Sequence, residues 1–357
     1  MQNKIEQLPE GIEKVLSAFG LSELEDWYPL QVGHINSTYV LKIAGSRYIL
    51  QNLNTQVFTR GHEVMQNIIA VTHYLQEKIA ERGGDSNRET LTLIKTVDGA
   101  DYYTKTPHEI WRCYYFIEDT ACYVAADSVD RIREAARCFG QFHADLKGFP
   151  MEELYETIVD FHNTEERFRQ FESALKADPL KRSATCQPEI NFILKRRQDA
   201  SYLLDLERQG LIPRRVTHND TKLSNVLFDV TSDRAMTVID LDTLMPGLLA
   251  FDFGDIVRSG ATYAKEDEQD LEKVNFEPEL YQAIYNGFVE GMADGISEAE
   301  KQSLPWGARL ITFECGMRFL TDYLQGDTYF NIERAGQNLD RARTQFKLVA
   351  DMEEYFA

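Results

Sequence analysis

The sequence predicts an α+β fold of two lobes, in which a small β-rich lobe precedes a larger and mainly helical one. Three observations lead to this prediction. The chain of 357 residues is longer than one ordinary core supports, short strand-like runs fill residues 28–53, and helical periodicity prevails further downstream. We therefore assign residues 1–117 to the first lobe and residues 118–357 to the second. A cleft between two such lobes is where a small ligand is expected to bind.

The first lobe contains a predicted β-hairpin, in which "STYVLKIAG" and "SRYILQNL" flank a Gly-Ser turn. A helix follows, because apolar residues keep the spacing of one helical face until "ERGGD" ends it. This apolar face comprises Val64, Ile68, Val71, Leu75 and Ile79. Two further strand-like runs, "ETLTLIKT" and "EIWRCYYFI", complete a small unit of sheet and helix.

The second lobe follows "EDTACYVAADS", which breaks the pattern and is interpreted as the connection between the lobes. Its predicted helical faces are Ile132, Ala136, Phe139, Phe142 and Leu146 in one helix, and Ile332, Ala335, Leu339, Ala342, Phe346 and Val349 in the last. One predicted β-hairpin, "VTHNDTKLSNVLFD" with its neighbour "AMTVIDLDT", interrupts the helices.

The composition excludes several classes of protein. A hydrophobic fraction of 43% with 11% aromatic residues is enough for packed cores, which argues against wholesale disorder. A net charge of -20 repels nucleic acid and anionic lipid, so neither is expected as a partner. The five cysteines form no CxxC pair, which favours reduced thiols. Because no apolar run reaches membrane-spanning length, we expect a cytoplasmic protein.

The hairpin segment carries the pattern H-x-D-x4-N at His218, Asp220 and Asn225, and Asp240 follows at the end of the apolar run "TVID". Phosphoryl transfer needs a carboxylate to orient the attacking hydroxyl, and hard oxygen ligands to hold magnesium on the nucleotide phosphates. Asp220 fits the first need, and Asn225 with Asp240 fits the second. Lys222 would neutralise charge on the transferred group, while His218 fits a loop organiser. The competing interpretation is an ordinary polar β-turn.

The letters DFG occur literally at residues 252–254. We assign the metal to Asp240 instead, because Asp240 lies at the distance from Asp220 that a strand-turn-strand hairpin requires. Asp252 and Asp255 are expected to brace the catalytic loop by accepting its backbone N–H groups.

Together these motifs resemble a known family. "HNDTKLSN" with "VIDLD" is similar to the catalytic and metal-binding motifs of the aminoglycoside phosphotransferase and choline kinase group, small-molecule kinases with a bilobal protein-kinase-like fold. More narrowly, "GHINSTY", "YILQNLNTQVF", "DFHNT", "DFGDIVRS" and "RFLTDYLQGDTYF" resemble the N-acetylhexosamine 1-kinase branch. The resemblance covers residues 33–330, nearly the whole chain. It implies ATP and Mg²⁺ as cofactors, Asp220 as the catalytic base, and Asn225 and Asp240 as magnesium ligands. Asp242 is either a ligand of a second metal or a solvated acid.

The nucleotide-binding part departs from the protein-kinase pattern. "GHINSTY" replaces the glycine-rich loop, so backbone and small polar groups would have to cover the phosphates. The residues expected in this role are Gly33, His34, Asn36 and Ser37. Gln51 stands where a strand lysine is usual, and it is either a site residue or an ordinary edge-strand residue. The resemblance implies an adenine-binding hinge at residues 114–120, read by the backbone of Phe116 and Ile117.

Substrate binding is expected in the helical lobe. Glu314, Arg318 and Asp322 recur at helical spacing within a run of Phe, Leu, Met and Tyr. On a surface helix they would form a solvated ladder of ion pairs, but the apolar surroundings favour a buried stripe that binds a sugar. Tyr323 would stack on the sugar or belong to the core, and His162 is a further predicted contact.

The resulting hypothesis is an ATP- and magnesium-dependent kinase that phosphorylates the anomeric hydroxyl of an N-acetylhexosamine. A related kinase acting on an aminoglycoside, choline or another amino alcohol would use the same catalytic residues. A catalytically silent pseudokinase is a third possibility, favoured by Gln51 and opposed by the intact set of Asp220, Asn225 and Asp240. The preferred epimer and the oligomeric state are left open.

Overall fold

The computed structural model describes residues 9, 11–30, 35–125 and 127–357. The chain forms two compact units that are not contiguous in sequence. Unit 1 contains the chain up to Thr120 together with residues 148–158 and 236–245, and unit 2 contains residues 121–147, 159–235 and 246–357. Asp240 and Asp242 therefore belong to unit 1, whereas the Asp220 loop belongs to unit 2.

Unit 1 is built on one antiparallel sheet of five strands in the order β1-β2-β3-β5-β4. The strands are β1 (Leu24–Pro29), β2 (Ser37–Ile43), β3 (Ser46–Leu53), β4 (Tyr103–Thr106) and β5 (Glu109–Tyr115). The helices are α1 (Ile12–Ala18), α2 (Gly61–Glu81) and α3 (Ser86–Glu89). The predicted hairpin of β2 and β3 is confirmed, and its turn has positive φ at Ala44 (49°) and Gly45 (78°), the backbone that two-residue hairpin turns require.

The strand prediction for "ETLTLIKT" is wrong. Its first residue, Glu89, ends α3, and the rest of the segment makes only one isolated bridge, between Leu93 and Tyr114. At its end Thr96 begins a turn by accepting a hydrogen bond from the Ala100 N–H (2.9 Å). The fourth and fifth strands of the sheet are β1 and β4 instead. The sheet packs against α1. Val15 of α1 belongs to the same buried apolar cluster as Leu41 of β2 and Leu50 of β3.

Unit 2 is mainly helical. Its helices are α4 (Val129–Asp145), α5 (Thr164–Ala177), α6 (Gln187–Lys195), α7 (Tyr202–Arg208), α8 (Leu249–Gly260), α9 (Pro278–Met292), α10 (Glu298–Gln325) and α11 (Gln337–Tyr355). The remaining strands of the chain are β6 (Thr120–Cys122), β7 (Arg214–Thr217), β8 (Val226–Asp229), β9 (Ala235–Val238) and β10 (Met245–Leu248). Of these, β7 and β8 lie wholly in unit 2, and most of β9 lies in unit 1. The last helix begins later than predicted, so Ile332 and Ala335 precede it, because Gly336 has a left-handed backbone (φ 80°) at its N-cap.

Two helices of unit 2 approach each other closely at glycines. A Cβ on Gly254 of α8 would lie 2.3 Å from the carbonyl oxygen of Gly307 on α10, closer than any side chain tolerates. This close contact between Gly254 and Gly307 fixes the position of α8 on α10, two residues after Asp252. None of the five cysteines, which all lie in the described ranges, forms a disulfide bond. Within the same ranges no helix is both long and apolar enough to cross a bilayer.

Candidate active site

The loop that follows β7 is held by the first turns of α8. The buried carboxylate of Asp252 accepts hydrogen bonds from the backbone N–H groups of His218 (2.6 Å) and Asn219 (2.8 Å). The hydroxyl of Thr221 donates to the Asp252 carbonyl oxygen at 2.6 Å. The DFG sequence thus lies inside a helix, and the Asp252 carboxylate supports the loop by binding the loop's backbone N–H groups.

Asp220 lies at the centre of this loop. Its first carboxylate oxygen is 3.0 Å from Nζ of Lys222, and its second accepts a hydrogen bond from the amide nitrogen of Asn225 (3.1 Å). The same nitrogen donates to the Asp220 carbonyl oxygen (2.7 Å), and the Asp220 N–H donates to Nδ1 of His218 (3.2 Å). Because its nitrogen faces Asp220, Asn225 directs its amide oxygen the other way, the orientation that a metal ligand needs.

Two acids near Lys222 determine the electrostatics of the loop. Burial lowers the pKa of Lys222, but the carboxylates of Asp220 and Asp255 outweigh this effect and raise it. Burial alone would raise the pKa of Asp255, yet Arg258 and Lys222 lower it. The loop therefore keeps an ammonium beside Asp220.

Asp255 does not make the contacts predicted for it, which were hydrogen bonds from backbone N–H groups of the catalytic loop. Its carboxylate accepts a hydrogen bond from Nε of Arg258 at 2.7 Å, and within the described residues no backbone N–H of the catalytic loop donates to it. The physical reason is its position on α8, which gives it a cation of the same helix as its partner. Asp252 alone makes the backbone contacts expected of both acids.

A second polar cluster adjoins the loop on the side of Asn219. Nε2 of His162 is 3.3 Å from the Asn219 carbonyl oxygen, and Nδ1 is 3.0 Å from the buried carboxylate of Glu314. Thr164 donates to the other oxygen of Glu314 at 2.7 Å. Burial raises the pKa of Glu314, but the hydrogen bond with His162 and the charges of His162, Arg167 and Arg318 lower it overall.

Arg318 lies one helical turn beyond Glu314 and is enclosed by aromatic rings. Its guanidinium carbon is 5.5 Å from the ring centre of Phe161, 5.8 Å from that of Tyr329 and 5.6 Å from that of Phe330. The guanidinium forms no hydrogen bond or ion pair with any residue in the described ranges. A half-buried arginine whose donors meet no acceptor among the described residues is suited to binding an oxygen-rich ligand.

Asp322 and Tyr323, the two further residues weighed as sugar contacts, have partners within the protein. The carboxylate of Asp322 accepts hydrogen bonds from the backbone N–H groups of residues 328–330 and from the amide of Asn338, so its oxygens are occupied by the protein. The hydroxyl of Tyr323 is 3.1 Å from that of Thr185, and its ring is covered by Arg182. Asp322 supports the turn after α10, and Tyr323 is a core residue.

In unit 1 the polar residues gather at the 3₁₀ turn Leu241–Thr243. Asp240 precedes it with a left-handed backbone (φ 62°). Asp242 is buried, and its two carboxylate oxygens accept hydrogen bonds from Arg112 and from the amide of Asn36 (2.5 Å). Burial is at odds with the solvated acid weighed for Asp242, because a buried carboxylate needs a protein cation as partner. The role of Asp242 as a metal ligand stays a prediction.

The remaining predicted nucleotide contacts also lie in unit 1. Gln51 is on β3, which pairs on both sides, so it is not an edge-strand residue. Ser37 is the exposed first residue of β2. At the predicted hinge, the Phe116 N–H donates to the Arg47 carbonyl oxygen (3.2 Å) and the Ile117 carbonyl oxygen accepts from Thr120 (2.8 Å). Gly33 and His34 lie outside the described residues.

Comparison with known proteins identifies the family. A model of the phosphotransferase enzyme family, APH, matches residues 26–282, more than half of the chain. The chain belongs to this phosphotransferase family. The prediction of a small-molecule phosphotransferase is thereby confirmed in its general form, whereas the N-acetylhexosamine acceptor stays a prediction.

Solved structures of similar fold support the α+β, protein-kinase-like assignment. An aminoglycoside phosphotransferase from Alicyclobacillus acidocaldarius shares 15% identity and a TM-score of 0.63, covering 98% of this chain and 97% of its own. The spectinomycin phosphotransferase APH(9)-Ia, solved with ADP and spectinomycin, shares 12% identity and a TM-score of 0.57. The match covers 94% of this chain and 96% of that enzyme. A choline kinase from Cryptosporidium parvum shares 12% identity and a TM-score of 0.57, covering 97% of this chain and 95% of its own.

One buried polar residue of this phosphotransferase, Arg112, was not predicted as a site residue from the sequence. Arg112 lies in β5 among aromatic and aliphatic residues, and it is 1% exposed. Its partner Asp242 is far away in sequence, so no local spacing connects the two. The only signal available was an arginine inside an otherwise apolar strand, which predicts a buried partner without naming it.

Among the described residues, no three His, Cys, Asp or Glu side chains form a metal-binding group. The magnesium ligands stay a prediction.

Proposed function

We propose that this phosphotransferase transfers the γ-phosphoryl group of ATP, with Mg²⁺, to the anomeric hydroxyl of an N-acetylhexosamine. The observation that carries the proposal is the cluster of His162, Glu314 and Arg318 beside the loop of Asp220. Arg318 offers guanidinium donors that no described residue accepts, and His162 contacts the residue next to Asp220. Sugar hydroxyls and an acetamido carbonyl are the acceptors such donors bind.

Asp220 orients the anomeric hydroxyl and accepts its proton while the sugar oxygen bonds to the γ-phosphorus and ADP leaves. The anomeric hydroxyl is more acidic than other sugar hydroxyls, so modest base strength is enough. Positioning and electrostatics then supply most of the rate enhancement. The ammonium of Lys222, 3.0 Å from Asp220, balances negative charge near the transferred group.

Asn225 and Asp240 are the proposed magnesium ligands. Both offer oxygen atoms of the hard type that magnesium prefers, and Asn225 is oriented with its amide oxygen away from Asp220. A bound magnesium ion would neutralise charge on the β- and γ-phosphates.

The charges around Arg318 favour a neutral acceptor over an amine. Burial lowers the pKa of Arg167, and the nearby charge of Arg318 lowers it further, which places two cations in this part of unit 2. The buried acid that His162 contacts, Glu314, is already engaged by His162 and Thr164. An aminoglycoside or choline would bring a further positive charge. The amine-kinase alternative draws support from the net charge of -20, but that charge is spread over the chain.

A panel assay tests the acceptor. ADP release would be compared for N-acetylglucosamine, N-acetylgalactosamine, galactose, choline and kanamycin, and the phosphorylated carbon would be identified by NMR. We expect turnover on an N-acetylhexosamine with phosphate at the anomeric carbon. Phosphate on another carbon, or turnover on amines alone, would refute the acceptor while leaving the phosphotransferase family intact. ATP turnover that no acceptor stimulates would refute it too.

A further inference from the structure

The cation absent from β3 is present on the neighbouring strand. Gln51 of β3 and Arg112 of β5 are directly opposite each other in the sheet register. The guanidinium Nε of Arg112 donates to the side-chain oxygen of Gln51 at 2.9 Å, and the amide nitrogen of Gln51 donates to Thr38 at 3.0 Å. Gln51 therefore uses its amide to orient an arginine.

Arg112 connects this strand pair to the turn that carries Asp240. Its Nη1 nitrogen is paired with Asp242, with both side chains 2% exposed. Asp242 in turn accepts from Asn36, whose side-chain oxygen accepts from the Asn54 N–H at 2.9 Å. Arg112 is thus one link between the central strands and a turn that is distant in sequence.

Burial makes this link rigid. A guanidinium removed from water requires a carboxylate and further hydrogen-bond acceptors, and Arg112 has both in Asp242 and Gln51. Burial lowers the pKa of Arg112, but the carboxylates of Asp242 and Asp240 raise it overall. Arg112 therefore keeps its charge although it is buried.

We propose that Arg112 is the positioning cation of the nucleotide site. It takes on β5 the place of the strand cation that Gln51 does not provide on β3, and by binding Asp242 it holds the turn that also carries Asp240, the proposed magnesium ligand. Asp242 is then an anchor for Arg112. This inference rests on the proposed nucleotide- and magnesium-dependent function, and it deepens that function by naming a residue that places its charges.

Calorimetric binding of ADP with Mg²⁺, and of adenosine, tests the inference without requiring any acceptor. We expect Arg112→Gln to weaken Mg-ADP binding at least tenfold and to change adenosine affinity less than twofold. Arg112→Lys should recover part of the loss, because a lysine restores the charge but cannot bond Gln51 and Asp242 together. Equal losses for Mg-ADP and adenosine, or no loss, would overturn the proposal.

A double variant separates positioning from stability. Arg112→Gln leaves Asp242 buried without its cation, whereas Arg112→Gln with Asp242→Asn removes both charges. We expect the double variant to have a higher Tm than Arg112→Gln while Mg-ADP binding stays weak. Recovery of Mg-ADP binding together with Tm would overturn the proposal, since Arg112 would then be needed only to fold the site.

Arg196→Gln is the matched control. Arg196 forms a two-bond ion pair with Glu353 at 2.8 and 2.6 Å, and this variant should lower Tm and leave Mg-ADP affinity unchanged. A wild-type chain that binds no Mg-ADP would refute the nucleotide-dependent function and the inference with it. A chain that binds Mg-ADP but phosphorylates no sugar would refute only the proposed acceptor.

Discussion

Replacing Asp252 by asparagine should both destabilise the protein and slow its reaction. The wild-type carboxylate accepts the His218 N–H at 2.6 Å and the Asn219 N–H at 2.8 Å. An asparagine has one acceptor oxygen, so its NH₂ group would face one of these N–H donors. Two donors pointing at each other in a buried position leave both unsatisfied.

The size of the effect follows from these two bonds. Hydrogen bonds to charged groups contribute about 1.5–3 kcal/mol each, and an unsatisfied buried donor costs about 1–3 kcal/mol. Losing one bond to a charged group and leaving buried donors unsatisfied therefore lowers the free energy of unfolding by about 2.5–6 kcal/mol. At roughly 2–4 °C per kcal/mol for a unit of this size, Tm should fall by about 10 °C.

The kinetic consequence comes from the position of Asp220, two residues after His218. A displacement of about 1 Å in a positioned catalytic group costs about 10²-fold in rate. We expect kcat of Asp252→Asn to fall by about that factor, measured by ADP release well below its Tm. Ser128→Ala removes the N-cap of α4, whose hydroxyl accepts the Arg131 N–H, and should cost about 1 kcal/mol without changing kcat. A normal kcat in Asp252→Asn despite its lower Tm would refute the reasoning.

Three further predictions concern single side chains. Asp220→Asn should keep Tm and Mg-ADP affinity near wild type, because Lys222 is 42% exposed and can be solvated, while turnover falls by orders of magnitude; equal turnover would remove the catalytic assignment. Arg318→Met should raise KM for the sugar and leave Mg-ADP affinity unchanged in calorimetry, and an unchanged KM would exclude Arg318 from the acceptor site. Because the pKa of Glu314 is lowered in the folded protein, its contribution to stability is present above its unfolded pKa of about 4.3 and is lost as pH falls through the lower folded value. The Tm difference between wild type and Glu314→Gln should therefore be constant near pH 7 and shrink below about pH 4; a difference independent of pH would contradict the ionised Glu314.

Local patterns predicted the elements whose stability is local. The β2–β3 hairpin depends on its turn and on alternation, and α2 and α4 depend on one apolar face, so each was read from a few neighbouring residues. The segment 89–96 has the composition of a strand, but its first residue belongs to α3 and its last begins a turn. β1 and β4 gain their pairing from strands elsewhere in the sheet, which their own residues do not indicate.

The same distinction applies to the site. The Asp220 loop was predicted because its functional residues are close in sequence, and its polar side chains stand out between strands. Arg112 and Asp242 form their pair across a long stretch of chain, so neither residue type nor spacing pointed to it. Asp322 has the helical spacing of a ligand-binding stripe, but the backbone of the following turn occupies its oxygens.

Pairing of acids explains how a chain with a net charge of -20 accommodates a polyanionic nucleotide. Charges in solvent are screened beyond about 8 Å at physiological ionic strength, so the acids that matter to a bound phosphate are the near ones. In unit 2, Asp220 has Lys222 and Asp255 has Arg258; in unit 1, Asp242 has Arg112. Because each of these carboxylates is offset by a cation of its own unit, the excess of acid on the rest of the surface need not repel the nucleotide. These cations should therefore favour nucleotide binding even where they touch no phosphate.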